Sequence, residues 1–336
     1  MTTVLRSRFL RPSSVLIAGV ALASLLLPPL LDSGKQTVFV LFTLYVVVTV
    51  GLSLLMGLAG QISLGQAAFY ALGAYTAGLL AKHGLPQLLA LAAAPVGSAV
   101  VAALIGVPVL RLRGHYLAFA TLAFQLIVLT ILAEARGITG GDIGLGGIPP
   151  LLPILNQGQD SELDLNSPLV YCYVGWVVAA LVIVLSRNLV RSRPGRGLRA
   201  LATSEIGAAA SGVAVGADKL KVFTISAAYA GLAGGVYAFF LEYLSPGSFP
   251  ILLSIQFIVM ATLGGLGEVW GAVLGAAVIV LLVQVLQAAA SQPGLPRQAP
   301  AILSYAAYGG VMVLVMLFLP AGLLPALRQR LSRPSS

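Results

Sequence analysis

RNLVRSRPGRGLRALATSEIGAAASGVAVGADK, residues 187–219, is the longest stretch of this 336-residue chain that could not lie in hydrocarbon. It sets Arg187, Arg191, Arg193, Arg196, Arg199 and Lys219 against only Glu205 and Asp218. A loop this basic marks the cytoplasmic side of a membrane, where connecting loops carry the excess of Lys and Arg. Pro194 suits a first helical turn, and Leu198, Leu201, Ile206, Ala209 and Val213 recur near helical spacing, so the sequence predicts a short amphipathic helix over about 195–211. Such a segment reads either as a solvated basic loop or as a docking helix through which a soluble partner pushes on the membrane part.

The rest of the chain is membrane arranged around that loop. Hydrophobic residues make up 59% of it and charged residues 9%, against about 25% charged in soluble domains. The expected fold class is an all-α polytopic membrane protein. A net charge of +9 would suggest nucleic acid in a soluble protein. Here the basic residues stand in short clusters between apolar runs, with no long basic face interleaved with aromatics, so no nucleic-acid partner is expected. Cys172 is the one cysteine. It lies in an apolar run and excludes any disulfide framework or cysteine metal cluster within the chain.

Ten runs are long enough to cross roughly 30 Å of hydrocarbon: 15–31, 36–56, 63–81, 88–110, 116–134, 169–186, 219–241, 251–267, 270–289 and 301–319. Ala21, Leu22 and Ala23 form an A-x-A, but the apolar stretch before it is short and the run continues past it, so an uncleaved first span is expected. The third, eighth and ninth runs are glycine-rich and are expected to be broken or re-entrant. With the N-terminus inside, every one of the 19 basic residues falls in the cytoplasm except Lys35, Lys82, Arg136 and Arg297. One miscounted span would swap the sides of all later loops, so the charge distribution favours an even count with both termini cytoplasmic. The chain is thus read as a single membrane domain, 1–336, with a cytoplasmic loop at 187–218 and an external loop at 135–168. The external loop is acidic, with Asp142, Asp160, Glu162 and Asp164 opposing Arg136. Its Gly- and Pro-rich opening predicts a compact segment shaped by turns.

Ionisable groups at membrane depth mark pumps and intramembrane enzymes. Glu134, Glu242 and Glu268 stand at span ends, His83 and His115 in loops, and no apolar run has a central charge. There is no zinc helix of the H-E-x-x-H type, no G-x-S-x-G elbow and no G-x-x-x-x-G-K-[ST] phosphate loop. The chain carries no nucleotide-hydrolysing machinery, no metal site and no proton relay; a passive or externally powered pathway is left. The densest polar cluster in apolar sequence is GLAGQISLGQAAFYALGAYTAG, 57–78, with Gln61, Ser63, Gln66, Tyr70 and Tyr75. Its glycines fit close helix packing. Two buried amides need partners beyond what packing requires, which favours the wall of a polar pathway. Thr121 and Gln125, four residues apart on one helix face, could complete that wall. So could Gln256 with Gly264, Gly265 and Gly267, where an unwound run would offer backbone groups to a zwitterionic solute.

Five stretches in order, GLAGQISLGQAAFYALGAYTAG (57–78), LRLRGHYLAFATLAFQLIV (110–128), ITGGDIGLGGIP (138–149), the segment 195–240 and SIQFIVMATLGGLGEVWGAVLGA (254–276), resemble the LivM-type permease of bacterial branched-chain amino acid ABC transporters. The resemblance implies a bacterial inner-membrane subunit paired with a LivH-type second permease, two cytoplasmic ATPases and a periplasmic substrate-binding protein. It implies ATP used by the partners and no cofactor bound by this chain. It also implies that the helix with the pattern E-x-x-A-x-x-x-G, here Glu205, Ala208 and Gly212 with Ala209 alongside and Arg196 and Arg199 preceding, seats in a groove on the ATPase. Related permeases serve urea, short amides and aromatic acids, and a stand-alone facilitator is the rival from another class.

Overall fold

The computed structural model describes residues 24–112, 114–151 and 168–290, with 306, 309–311, 313 and 322–326. Ten helices carry the architecture: α1 Ser33–Ala59, α2 Gln66–Lys82, α3 Gln87–Val109, α4 His115–Glu134, α5 Pro168–Arg191, α6 Arg193–Thr203, α7 Glu205–Ala210, α8 Val215–Leu241, α9 Ile251–Gly264 and α10 Val269–Ala290. Single turns of helix fill the connections, and one two-stranded antiparallel ladder joins β1, Leu145–Gly146, to β2, Tyr243–Leu244. The fold is an all-α bundle. Among the described residues, seven helical stretches are long and apolar enough to cross a membrane. The 17-residue α2 adds a shorter one of about 26 Å. Most of the predicted tenth span, and the first as far as Ala23, lie outside the described residues, so the count of ten is left at the eight helices between them.

Helix ends follow local chemistry. Gly60 closes α1 in the left-handed region, φ 62°, where glycine carries no Cβ penalty. Ser192 caps α6 by accepting from the Gly195 amide at 3.2 Å, and Ser204 caps α7 by accepting from Gly207 at 3.1 Å. The single helix expected over 195–211 is therefore two, divided at the extended Ser204, φ −159°. A capping serine supplies the acceptor that lets a new helix start there. Of the three glycine-rich spans expected to be broken, the third begins with an irregular segment, 60–65, before α2. The eighth enters through backbone that is not α-helical, 242–250, before the 14-residue α9. The ninth is instead one continuous helix, α10, because its glycines serve as packing notches: a Cβ on Gly275 would stand 1.9 Å from the Met260 carbonyl oxygen of α9.

The core forms where α1, α2, α8 and α9 meet. A Cβ on Gly234 of α8 would stand 1.9 Å from the Tyr70 carbonyl oxygen of α2, so these backbones touch with no side chain between them. The outward faces of α3, α4, α5 and α10 stay apolar and bare, with Leu104 70% and Phe119 67% exposed. In water such faces would drive aggregation; in a bilayer they meet lipid or another apolar subunit. The ladder pairs Leu145 with Leu244, and Lys82 Nζ donates to the Gly146 carbonyl at 3.0 Å. These contacts gather the ends of α2 and α8 and the 135–151 segment at one end of the bundle. The basic segment 187–215 joins α5 to α8 at the other.

Candidate functional site

The first turn of α2 is the junction of the molecule. A helix start leaves backbone N–H groups without intrahelical partners. Here the Ala67 amide donates to Ser254 Oγ of α9 at 2.9 Å, and Ser254 in turn donates to Gln125 Oε1 of α4 at 2.6 Å. Gln125 Nε2 reaches the Pro250 carbonyl at 3.4 Å. Just before α2, the Leu64 amide donates to Thr121 Oγ1 at 2.9 Å, and Ser63 Oγ accepts from Gly65 at 3.4 Å. Gln66 Nε2 donates to Ser226 Oγ of α8 at 2.9 Å. The sequence-predicted Ser63, Gln66, Thr121 and Gln125 are therefore brought together, buried, where four helices converge.

Four polar atoms close to this junction in sequence have no hydrogen-bond partner among the described residues: Gln61 Oε1, Gln66 Oε1, Tyr70 OH and Tyr75 OH. Their residues are 3%, 0%, 1% and 2% exposed. Leaving a buried polar group unsatisfied costs about 1–3 kcal/mol each, so four in adjoining turns form a set that requires an explanation. Around them stands an aromatic box. The Tyr70 ring lies 5.3 Å from Tyr237, 5.6 Å from Phe249 and 6.3 Å from Phe257, and Phe249 also meets Tyr75 at 6.2 Å and Tyr237 at 5.8 Å. The residues just named carry no formal charge.

The other predicted pathway residues fall elsewhere. Gln256 is half-buried, two positions beyond Ser254, and makes none of the junction's hydrogen bonds. Gly264, Gly265 and Gly267 form the turn from α9 to α10, with φ 113° at Gly265 and 78° at Gly267. The Gly267 amide is taken by Ser53 of α1, at 3.0 Å to its carbonyl and 3.1 Å to its hydroxyl. Gly57 permits that approach, since a Cβ there would come within 2.0 Å of the Gly267 nitrogen. Ser226, Ser254, Tyr237 and Phe249 were not singled out from sequence. The two serines are lone hydroxyls in apolar helices, indistinguishable by type from packing residues, and Phe249 sits in a Pro-Gly-Ser turn that reads as a surface loop.

At the opposite end, Leu198 and Leu201, each 2% exposed, seat α6, and Ala208 at 1% seats α7. Arg199 donates to the Val190 carbonyl at 3.1 Å and Arg196 stays exposed. Ile206 projects 84% exposed, flanked by exposed Gly207, Ala209, Ala210 and Gly212. Glu205 forms an ion pair with Lys219. A lone branched apolar side chain on a small-residue surface is a shape a groove can receive. No group of three metal-ligating side chains occurs among the described residues.

Residues 36–317 match the family described as branched-chain amino acid transport system, permease component. The chain belongs to that family. Its relatives include the high-affinity branched-chain amino acid transport system permease protein LivM of Salmonella typhimurium, 34% identical over 92% of this chain and 74% of that protein. LivM of Escherichia coli is likewise 34% identical, over 90% and 73%. A probable LivM of Methanocaldococcus jannaschii is 28% identical over 71% and 68%. No solved structure matches the chain. As a member of this permease family the chain is a multi-pass transport subunit, not an enzyme, and the junction at α2 is buried in its membrane-spanning part.

Proposed function

We propose that this permease is one membrane half of an ABC importer that moves branched-chain amino acids from the periplasm to the cytoplasm, through the α2 junction. Its partners are a LivH-type second permease, two cytoplasmic ATPases that use the ATP, and a periplasmic binding protein. Residues 1–336 act as one permease domain in the bacterial inner membrane, with both termini and the 187–218 loop inside and the 135–168 loop outside.

The observation that carries this reading is the set of four unpartnered atoms at Gln61, Gln66, Tyr70 and Tyr75. A zwitterion in transit would supply the missing partner, its ammonium to amide oxygens and its carboxylate to phenol hydroxyls. The rings of Tyr70 and Tyr237 beside them would take an aliphatic side chain. A neutral junction holds a net-neutral solute without the desolvation cost of a fixed counter-charge. The exposed Ile206 and its small-residue surroundings support an ATPase-driven subunit over a stand-alone facilitator, which needs no docking helix. ATP and the loaded binding protein then supply the difference in affinity that switches access between the two sides.

The test is uptake by the complete complex in proteoliposomes. Gln61→Leu with Gln66→Leu should cut leucine uptake by about tenfold or more, given about 1–3 kcal/mol per lost polar contact, with the partners still co-purifying. Uptake kinetics equal to wild type in an assembled complex would remove the junction from the pathway.

A further inference from the structure

Phe249 is fully buried, yet it stands on the only long stretch between α8 and α9 that is not α-helical. That stretch runs from Glu242 through the two-residue β2 and a single 3₁₀ turn, Pro246–Ser248, to Pro250. It descends beside α2: Leu244 lies near Gly78, Phe249 packs on Tyr75 and Tyr70, and Ser254 meets Ala67. A short ladder and one turn hold backbone far less firmly than a helix, whose hydrogen bonds open only together. At its start, Glu242 is the one non-glycine residue with positive φ, 57°, among the described residues. A left-handed glutamate stores strain of the kind found at switch segments.

We propose that Phe249 is the gate of the pathway on the ladder side: its ring fills the place that a solute's apolar side chain takes between Tyr70, Tyr75 and Tyr237. This rests on the reading that the α2 junction is the pathway. In the closed state the ring covers the junction, whose polar atoms are sealed with their residues at most 3% exposed. Opening swings the 242–250 segment about Glu242, removes the ring and admits solute to the Gln and Tyr groups beneath it. The three ring contacts are apolar and replaceable by an aliphatic side chain, so the exchange of ring for solute leaves no new unpaired group.

Two measurements on the complete complex test this. Phe249→Ala, reconstituted with its partners, should leak leucine without ATP roughly tenfold faster than wild type, because three aromatic contacts that hold the closed state are gone. Hydrogen exchange of the unmutated complex should quicken over 242–250 when the loaded binding protein and a non-hydrolysable ATP analogue are added. A tight, coupled Phe249→Ala complex overturns the gate, and so does unchanged exchange over 242–250; should Phe249→Ala fail to assemble, the exchange measurement decides alone. Loss of uptake on glutamine replacement alongside a tight Phe249→Ala complex would strike the gate and keep the pathway. Unchanged uptake in the glutamine variant strikes the pathway itself.

Discussion

The ammonium of Lys219, near the start of α8, holds the carboxylate of Glu205, the first residue of α7. Through that ion pair the short helix carrying Ile206 is fastened to a 27-residue helix whose Ser226 accepts from Gln66. The contact is partly exposed, so its worth to stability is modest, about 0.5–1 kcal/mol. In the proposed coupling its worth is geometric, because a push on α7 would be delivered through the pair to α8 and from there to the junction.

Charge exchange separates these two roles. Glu205→Lys alone should put two ammonium groups together and uncouple ATP hydrolysis from uptake, while Glu205→Lys with Lys219→Glu should restore coupling by remaking the pair. Measured as leucine imported per ATP hydrolysed, the double variant should recover to within about threefold of wild type, since a rebuilt pair regains most of its coupling energy. Failure of the double variant, with the single variant equally impaired, would mean that Glu205 is read directly by the ATPase.

Ile206 gives a prediction that leaves the fold untouched. At 84% exposure its replacement removes no internal contact of consequence, so Ile206→Asp should leave thermal stability unchanged to within about 0.5 kcal/mol. Retention of the ATPases should nevertheless fall by about tenfold or more, the loss expected when a central apolar anchor becomes a charge. Co-purification of the subunits in detergent reads this directly.

Sidedness follows from charge. Cysteines placed at Arg196 and at Gly84, in a Cys172→Ala background, stand on the basic segment and in the turn after α2. A membrane-impermeant thiol reagent applied to intact cells should label the second and spare the first. Labelling at position 196 from outside would invert the whole assignment.

Much of this was legible beforehand, for identifiable reasons. Apolar runs and the clustering of arginines are one-dimensional signals, so the eight long helices, α1 to α5 and α8 to α10, and the basic segment could be read directly. Gln61, Gln66, Tyr70 and Tyr75 stood out because polar side chains are few in hydrocarbon. What could not be read was which residues the fold brings to them. Ser254 and Ala67 are neighbours only because α9 starts partway along α2, after an extended approach, and no local pattern encodes that depth. The break at Ser204 was hidden as well: helical spacing runs through it, and only the capping geometry divides α6 from α7.

Packing at the core supplies the last prediction. Gly234 faces the Tyr70 carbonyl, where a Cβ would stand 1.9 Å from the oxygen and 2.9 Å from the Ala74 nitrogen. Both obstacles are backbone within α2, so neither can turn aside, and Gly234→Ala must pry α8 from α2. The cost should be about 3 kcal/mol or more, at the upper end for overpacking, and should appear as a lowered unfolding temperature in detergent. Because Tyr70 moves with its carbonyl, leucine uptake should fall in whatever protein still assembles. Gly34, in the first turn of α1, has no atom within 4 Å of the same position. Gly34→Ala should therefore be neutral or stabilising by up to about 1 kcal/mol, through the reduced freedom of the unfolded chain. Equal unfolding temperatures for the two variants would refute the close α2–α8 contact on which the position of the junction depends.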